Sequence, residues 1–137
     1  MIEYVVGFLL CENMVALIEK QRPEWQRGRL NGIGGHVEAG ETAECAMIRE
    51  FEEETGRLIP AWQHFCTLTA SDNSWTVYFF TARVSRLIEL QQPTDEIPRW
   101  RLISSLPHMG NRLVDNVRWL VPMAAAQSPV LAVVREK

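Results

Sequence analysis

The chain has little that would carry it to a membrane, a nucleic-acid polymer or an oxidising compartment. Its longest apolar runs, YVVGFLL and WTVYFF, fall far short of the roughly 20 residues that a bilayer-spanning helix needs. The start, MIEYVV, has no charged region followed by an apolar stretch and a cleavage site, so no signal peptide is visible. Basic residues are not in excess. Lys and Arg number 14 against 17 Asp and Glu, a net charge of −3, whereas proteins that coat nucleic acid or membrane surfaces are normally basic. Cysteine is scarce. Cys11, Cys45 and Cys66 are odd in number, widely spaced and fit no metal pattern, and reduced thiols in a cytoplasm are the simpler reading. Internal repeats, linkers and low-complexity segments are also missing. What remains is 137 residues, 47% apolar and 23% charged, which is ordinary globular usage. The expectation is one domain over 1–137, cytoplasmic, a monomer or homodimer, with no nucleic-acid polymer and no membrane as partner.

Periodicity gives the elements. Residues 2–10 and 14–20 are β-rich and flank the polar pair Glu12-Asn13, the pattern of a hairpin. Residues 21–29, QRPEWQRGR, form a polar loop, and the glycines of LNGIGG imply special backbone geometry. A helix fits 42–55, with Thr42 as N-cap and Gly56 as C-terminal stop. Residues 62–70 and 75–84 form a second hairpin around SDNS, and both faces of WTVYFFTARV are apolar, as in a strand covered on both sides. A strand is expected at 99–103 and a final one at 129–134. Leu113, Val117, Leu120, Val121 and Ala124 mark a second amphipathic helix, which Pro122 should bend or shorten. Strands interleaved with two helices predict an α/β or α+β sandwich.

The stretch REFEEETG, Arg49 to Gly56, crowds four carboxylates into five positions. Residues three and four apart share a helix face, so Glu50, Glu53 and Glu54 project together while Glu52 points elsewhere. Like charges at that spacing repel, and near a helix C-terminus the dipole adds to the penalty. A hard divalent cation with oxygen ligands would offset both, and Mg²⁺ typically takes one or two carboxylates plus phosphate oxygens. A solvated acidic face is the alternative.

The flanking residues decide between them. From Gly35 to Arg57 the chain reads GHVEAGETAECAMIREFEEETGR. With Gly35, Glu41, Arg49, Glu50, Phe51, Glu53, Glu54 and Gly56 at the fixed positions, it closely resembles the signature of the Nudix hydrolases. Arg57 departs from it, since an apolar residue is expected there, and Leu58 next door can take that packing role. LNGIGG, Trp100, the SLP of 105–107 and the chain length also look like this family. The resemblance implies a Nudix-type α/β/α sandwich with a mixed central sheet. It implies cleavage of a nucleoside diphosphate linked to another group, with Mg²⁺, or alternatively Mn²⁺, as cofactor and a nucleotide as partner. Glu50, Glu53, Glu54 and the carbonyl of Gly34 match the metal contacts. Arg49 and Glu41 match a pair that orients the helix. The metal would act as a Lewis acid and activate water.

Other residues complete the expected pocket. Glu96, in TDEIPRW, reads as an extra acidic ligand or general base, or as a solvated loop residue, with Asp95 as its competitor. Lys20, Arg22, Arg27 and Arg29 bracket the loop before the signature, and one or two at most should touch phosphate. Asn31, Asp115 and Asn116 stand where MutT-like and oxidised-purine nucleotide hydrolases place residues that read the purine edge. Turn formation by Asn31 and helix capping by Asp115 or Asn116 are the alternatives. Trp25 and Trp119 fit a core or covering role better than base stacking. The favoured reaction is hydrolysis of a nucleoside triphosphate, narrowly an oxidised purine one, to monophosphate and pyrophosphate. Cleavage of ADP-ribose or a nucleotide sugar is a second reading, and a non-catalytic nucleotide sensor a third.

Overall fold

The computed structural model describes residues 1–126 and 131–136. Eight strands form one mixed sheet in the order β3-β2-β1-β6-β5-β8, with β4 beside β1 and β7 beside β2. β1 (Ile2–Cys11) is at its centre. One edge of β1 runs parallel to β6 (Trp75–Arg83) from Ile2↔Trp75 to Leu10↔Arg83. Its other edge is shared: Leu9–Cys11 pair with β2 (Met14–Glu19), and Tyr4–Gly7 pair with β4 (Ile33–His36). β1 and β2 thus diverge from their hairpin, and β3 (Leu30–Asn31) and β4 occupy the fork. The LNGIGG run, whose glycines imply special backbone geometry, is therefore mostly strand. Its glycines serve close approach: a Cβ on Gly34 would lie 1.8 Å from the Val5 carbonyl oxygen.

β5 (Gln63–Ala70) and β6 form the expected antiparallel hairpin, and β7 (Ile97–Leu102) begins two residues before the predicted strand. The strand expected at 129–134 falls partly on residues 129–130, outside the described residues. The observed β8 is Ala132–Glu136, parallel to β5.

The two helices cover opposite faces. α1 (Ala43–Thr55) starts at Thr42, whose hydroxyl accepts from Cys45 N at 3.1 Å, and stops at Gly56 in the left-handed region, φ 72°. Its apolar side, Met47 and Phe51, is buried against Val5, Leu9, Trp62 and Phe80. Burying a side chain such as Phe51 stabilises by about 1.5–3 kcal/mol. α2 (Val117–Ala125) buries Val117, Leu120 and Val121 against Phe8, Leu10 and Leu17 on the other face. Pro122 lies inside α2, which nevertheless runs three residues further. Leu113 precedes α2 and forms a bridge to Leu30. Phe79 faces one core and Phe80 the other, so β6 is covered on both sides as its pattern predicts. No helix among the described residues is long and apolar enough to cross a membrane.

Candidate active site

The end of α1 carries the carboxylates, and Arg49 organises them. Arg49 Nε donates to Glu41 Oε2 at 2.7 Å and Nη2 to Glu41 Oε1 at 2.9 Å. Nη2 also donates to the His36 carbonyl at 2.9 Å, tying α1 to the end of β4. Nη1 donates to Glu50 Oε1 at 3.0 Å and to Glu53 at 3.2 Å. Glu41 further accepts from Glu38 N at 3.0 Å. These contacts, the Arg49 hydrogen bonds first, hold the Glu41 carboxyl down at about 2. Arg49 and Glu41, which the resemblance pairs, are thus joined by two hydrogen bonds.

Glu50 and Glu54 are half-buried, and burial pushes both carboxyls above their ordinary value. Arg49 opposes this at Glu50, and a Thr94 hydrogen bond opposes it at Glu54. Glu53 is more open, with 55% of its side chain exposed. The expected convergence of Glu50, Glu53 and Glu54 is only partial. Among the described residues no three His, Cys, Asp or Glu groups stand close enough to enclose an ion as placed. The guanidinium of Arg49 lies between Glu50 and Glu53, and Thr94 holds Glu54. The donor set still fits a hard divalent cation. It is all oxygen, its charges repel, and two of its carboxylates are held where burial disfavours bare charge. The Glu50 carboxyl also lies directly over the glycine backbone: a Cβ on Gly35 would be 2.5 Å from its Cδ.

Glu96 is 4% exposed, so it is not a solvated loop residue. It accepts from Lys20 Nζ at 3.0 Å, Gln21 N at 2.7 Å and Arg22 N at 3.3 Å. Asp95 is exposed and pairs with Arg22 at 2.5 and 3.1 Å, which lowers its carboxyl. Lys20 and Arg22 are thereby engaged by acidic partners and are not free cations. The Arg29 side chain is half-buried and makes no hydrogen bond to a described residue, and Arg27 reaches only Glu24, at 3.9 Å.

Ahead of α2, Val114 N donates to Leu30 O at 3.0 Å, bringing the turn before α2 against β3. Asn116 begins α2 without a capping hydrogen bond, and its Oδ1 is buried with no partner among the described residues. Asn31 donates from Nδ2 to Gln26 Oε1 at 3.1 Å and accepts from Gly32 N at 2.7 Å. Asp115 points outward, 95% exposed, and pairs with Arg118. A cleft of about 80 Å³ nearby is lined by Glu19, Gly28, Leu30, Arg101, Met109 and Arg112, and Arg101 Nε is buried without a partner. Trp25 and Trp119 expose 60% and 40% of their surface, so neither is a core residue. A larger cavity of about 400 Å³ beside Trp62 and Arg83 has no carboxylate among its described lining residues and lacks the chemistry for a cation.

A family profile described as NUDIX domain matches residues 1–132. The chain belongs to the NUDIX family. Solved structures share the fold. One from a study of MutT from Aliivibrio salmonicida and Vibrio cholerae is 24% identical, covers 92% of this chain and 97% of its own, and has a TM-score of 0.71. MutT from Bacillus halodurans is 18% identical over 100% and 91%, TM-score 0.77. The NUDIX domain of Shewanella oneidensis NrtR, complexed with ADP ribose, is 19% identical over 89% and 84%, TM-score 0.74. No curated protein sequence matches.

The protein is thus a Nudix pyrophosphohydrolase, acting on phosphoric anhydride bonds. Sequence reasoning missed the His36 carbonyl that Arg49 reaches, Gln26 beside Asn31, Thr94 between Glu54 and Glu96, and the buried Arg101 Nε. Thr94 precedes Asp95-Glu96 directly, a Thr-x-Glu spacing that suits a local side-chain turn. Nothing in the spacing marks the other three.

Proposed function

We propose that this Nudix hydrolase cleaves a purine nucleoside triphosphate, in its narrowest form an oxidised one, to the monophosphate and pyrophosphate with Mg²⁺. The observation that carries this is Asn116: a buried carbonyl oxygen with no hydrogen-bond partner among the described residues, two positions after Val114, which bonds to Leu30 of β3. A buried polar atom without a partner is unfavourable unless something else supplies the hydrogen bond. A purine edge offers donors of the required kind, as amide-reading nucleobase sites show.

The chain's own residues divide the work. Glu50, Glu53 and Glu54, with the Gly34 carbonyl, would hold Mg²⁺, and Glu96 would border them. The bound ion would polarise a phosphoryl oxygen and offset charge developing in the transition state. Arg49 holds two of the carboxylates and Glu41 holds Arg49. Arg29 would orient the phosphates at the mouth of the 20–29 loop, where Lys20 and Arg22 are held by Glu96 and Asp95. Asn31 and Asn116 would orient the base, with Asp115 at the rim. The reading takes residues 1–137 as one domain working in the cytoplasm, alone or as a homodimer.

ADP-ribose or a nucleotide sugar is the second reading, favoured by the likeness to the ADP-ribose complex. A purely sensing role is the third. The retained glutamate set weighs against it, since a sensor has no need of every metal ligand. Incubation with dGTP, its 8-oxo form, dCTP and ADP-ribose in Mg²⁺, with product identification, separates them. Pyrophosphate release from the purine triphosphates is expected. Turnover of ADP-ribose alone would replace the first reading, and turnover of nothing would favour the third.

A further inference from the structure

The connection from β6 to β7, residues 84–96, returns over the C-terminal end of α1. Gln91 N donates to the Thr55 carbonyl at 2.8 Å, and Arg57 Nε donates to the Glu89 carbonyl at 2.5 Å. Trp100 Nε1 donates to the Ile88 carbonyl at 2.9 Å, while Ile88 and Leu90 pack on the α1-side core. The strap is therefore anchored through residues 88–91. It delivers Thr94, whose hydroxyl donates to Glu54 Oε2 at 3.0 Å and accepts from Glu96 N at 3.1 Å. One oxygen thus joins a carboxylate of the helix to the main chain of the residue that Lys20, Gln21 and Arg22 enclose.

We infer that Thr94 is a positioning residue for Glu54, setting the carboxylate that receives the cation. Glu54 Oε1 takes no hydrogen bond from a described residue, so the hydroxyl engages one oxygen and leaves the other. The task needs a donor and an acceptor on the same short side chain. Serine supplies both and valine, of the same shape as threonine, supplies neither. Groups that hold a metal ligand from behind matter nearly as much as the ligand, because an unheld carboxylate must be ordered on binding. The inference rests on the reading of Glu54 as a metal ligand.

Mn²⁺ binding to the purified chain without nucleotide, followed by the electron paramagnetic resonance of the free ion, tests both separately. T94V should bind roughly 10- to 100-fold more weakly, T94S should bind like the parent, and T94V should add no loss on top of E54Q. Circular dichroism and a melt check the fold, and T94A carries the same expectation if T94V does not fold. Parent-like Mn²⁺ affinity in folded T94V or T94A overturns the role of Thr94, as does a T94V loss undiminished in the E54Q background. A parent chain that binds no divalent cation overturns the metal reading itself.

Discussion

Arg49 and Glu41, eight residues apart, face each other through two parallel N–H···O bonds of 2.7 and 2.9 Å. The fork spans the N-terminal turn of α1 and frees Nη1 for Glu50 and Glu53. A planar guanidinium can serve these partners at once, and an ammonium cannot. Arg49→Lys should therefore keep the charge but lower kcat by about 10- to 100-fold, the range for groups that hold metal ligands. Unchanged steady-state kinetics in the variant would remove Arg49 from this role.

The same pair sets a pH dependence. The Glu41 carboxyl sits at about 2 against an ordinary 4.5. A depressed carboxylate adds stability that is fully present above its unfolded value and lost as pH falls through the folded one. The melting temperature of the parent should exceed that of Glu41→Gln by a constant margin above pH 4.5. The margin should narrow between 4.5 and 2. A margin independent of pH across that window would mean that the ionised pair contributes nothing.

Glu53 is the most exposed of the three proposed ligands, so its replacement perturbs packing least. Glu53→Gln should lower kcat by at least about two orders of magnitude, the scale for losing one key electrostatic group. The fold should survive, since one repelling charge is gone. Full activity in the variant, or in the parent with EDTA, would refute metal dependence through this helix.

Asn116 makes no capping bond, which sharpens the expectation for Asn116→Ala. The melting temperature should hold, because the lost oxygen has no partner among the described residues. Purine triphosphates should lose about 1–3 kcal/mol in kcat/KM, and dCTP much less. An equal loss on dGTP, 8-oxo-dGTP and dCTP would remove Asn116 from the base pocket.

Gly34 and Gly35 are adjacent but should fail differently. A Cβ on Gly34 meets the Val5 main chain at 1.8 Å, while one on Gly35 meets the Glu50 carboxyl at 2.5 Å. Gly34→Ala should destabilise by about 1–3 kcal/mol or more, because backbone must shift. Gly35→Ala should spare stability and lower activity, because a side-chain end can move and Glu50 is that end. Parallel melts and kinetics check this, and the reverse order would contradict the placement of Glu50.

The sequence by itself determined α1. Thr42 and Gly56 bound it, Met47 and Phe51 face inward, and the spacing of Glu50, Glu53 and Glu54 follows from helix geometry alone. It also determined both hairpins, whose turn and alternation signals lie within a few residues. Tertiary structure decided the rest. The glycine run became strand because β1 and β2 diverge and leave it a fork to fill. Lys20 and Glu96 meet across 76 positions, which turns an expected phosphate cation and an ambiguous acid into a part-buried pair. Thr94 reaches Glu54 only because the strap is held over α1, and the turn before Asn116 meets β3 only where Val114 bonds to Leu30. Local spacing fixes which side chains share an element's face. Partners far apart along the chain depend on how the sheet orders its strands, and no local pattern encodes that order.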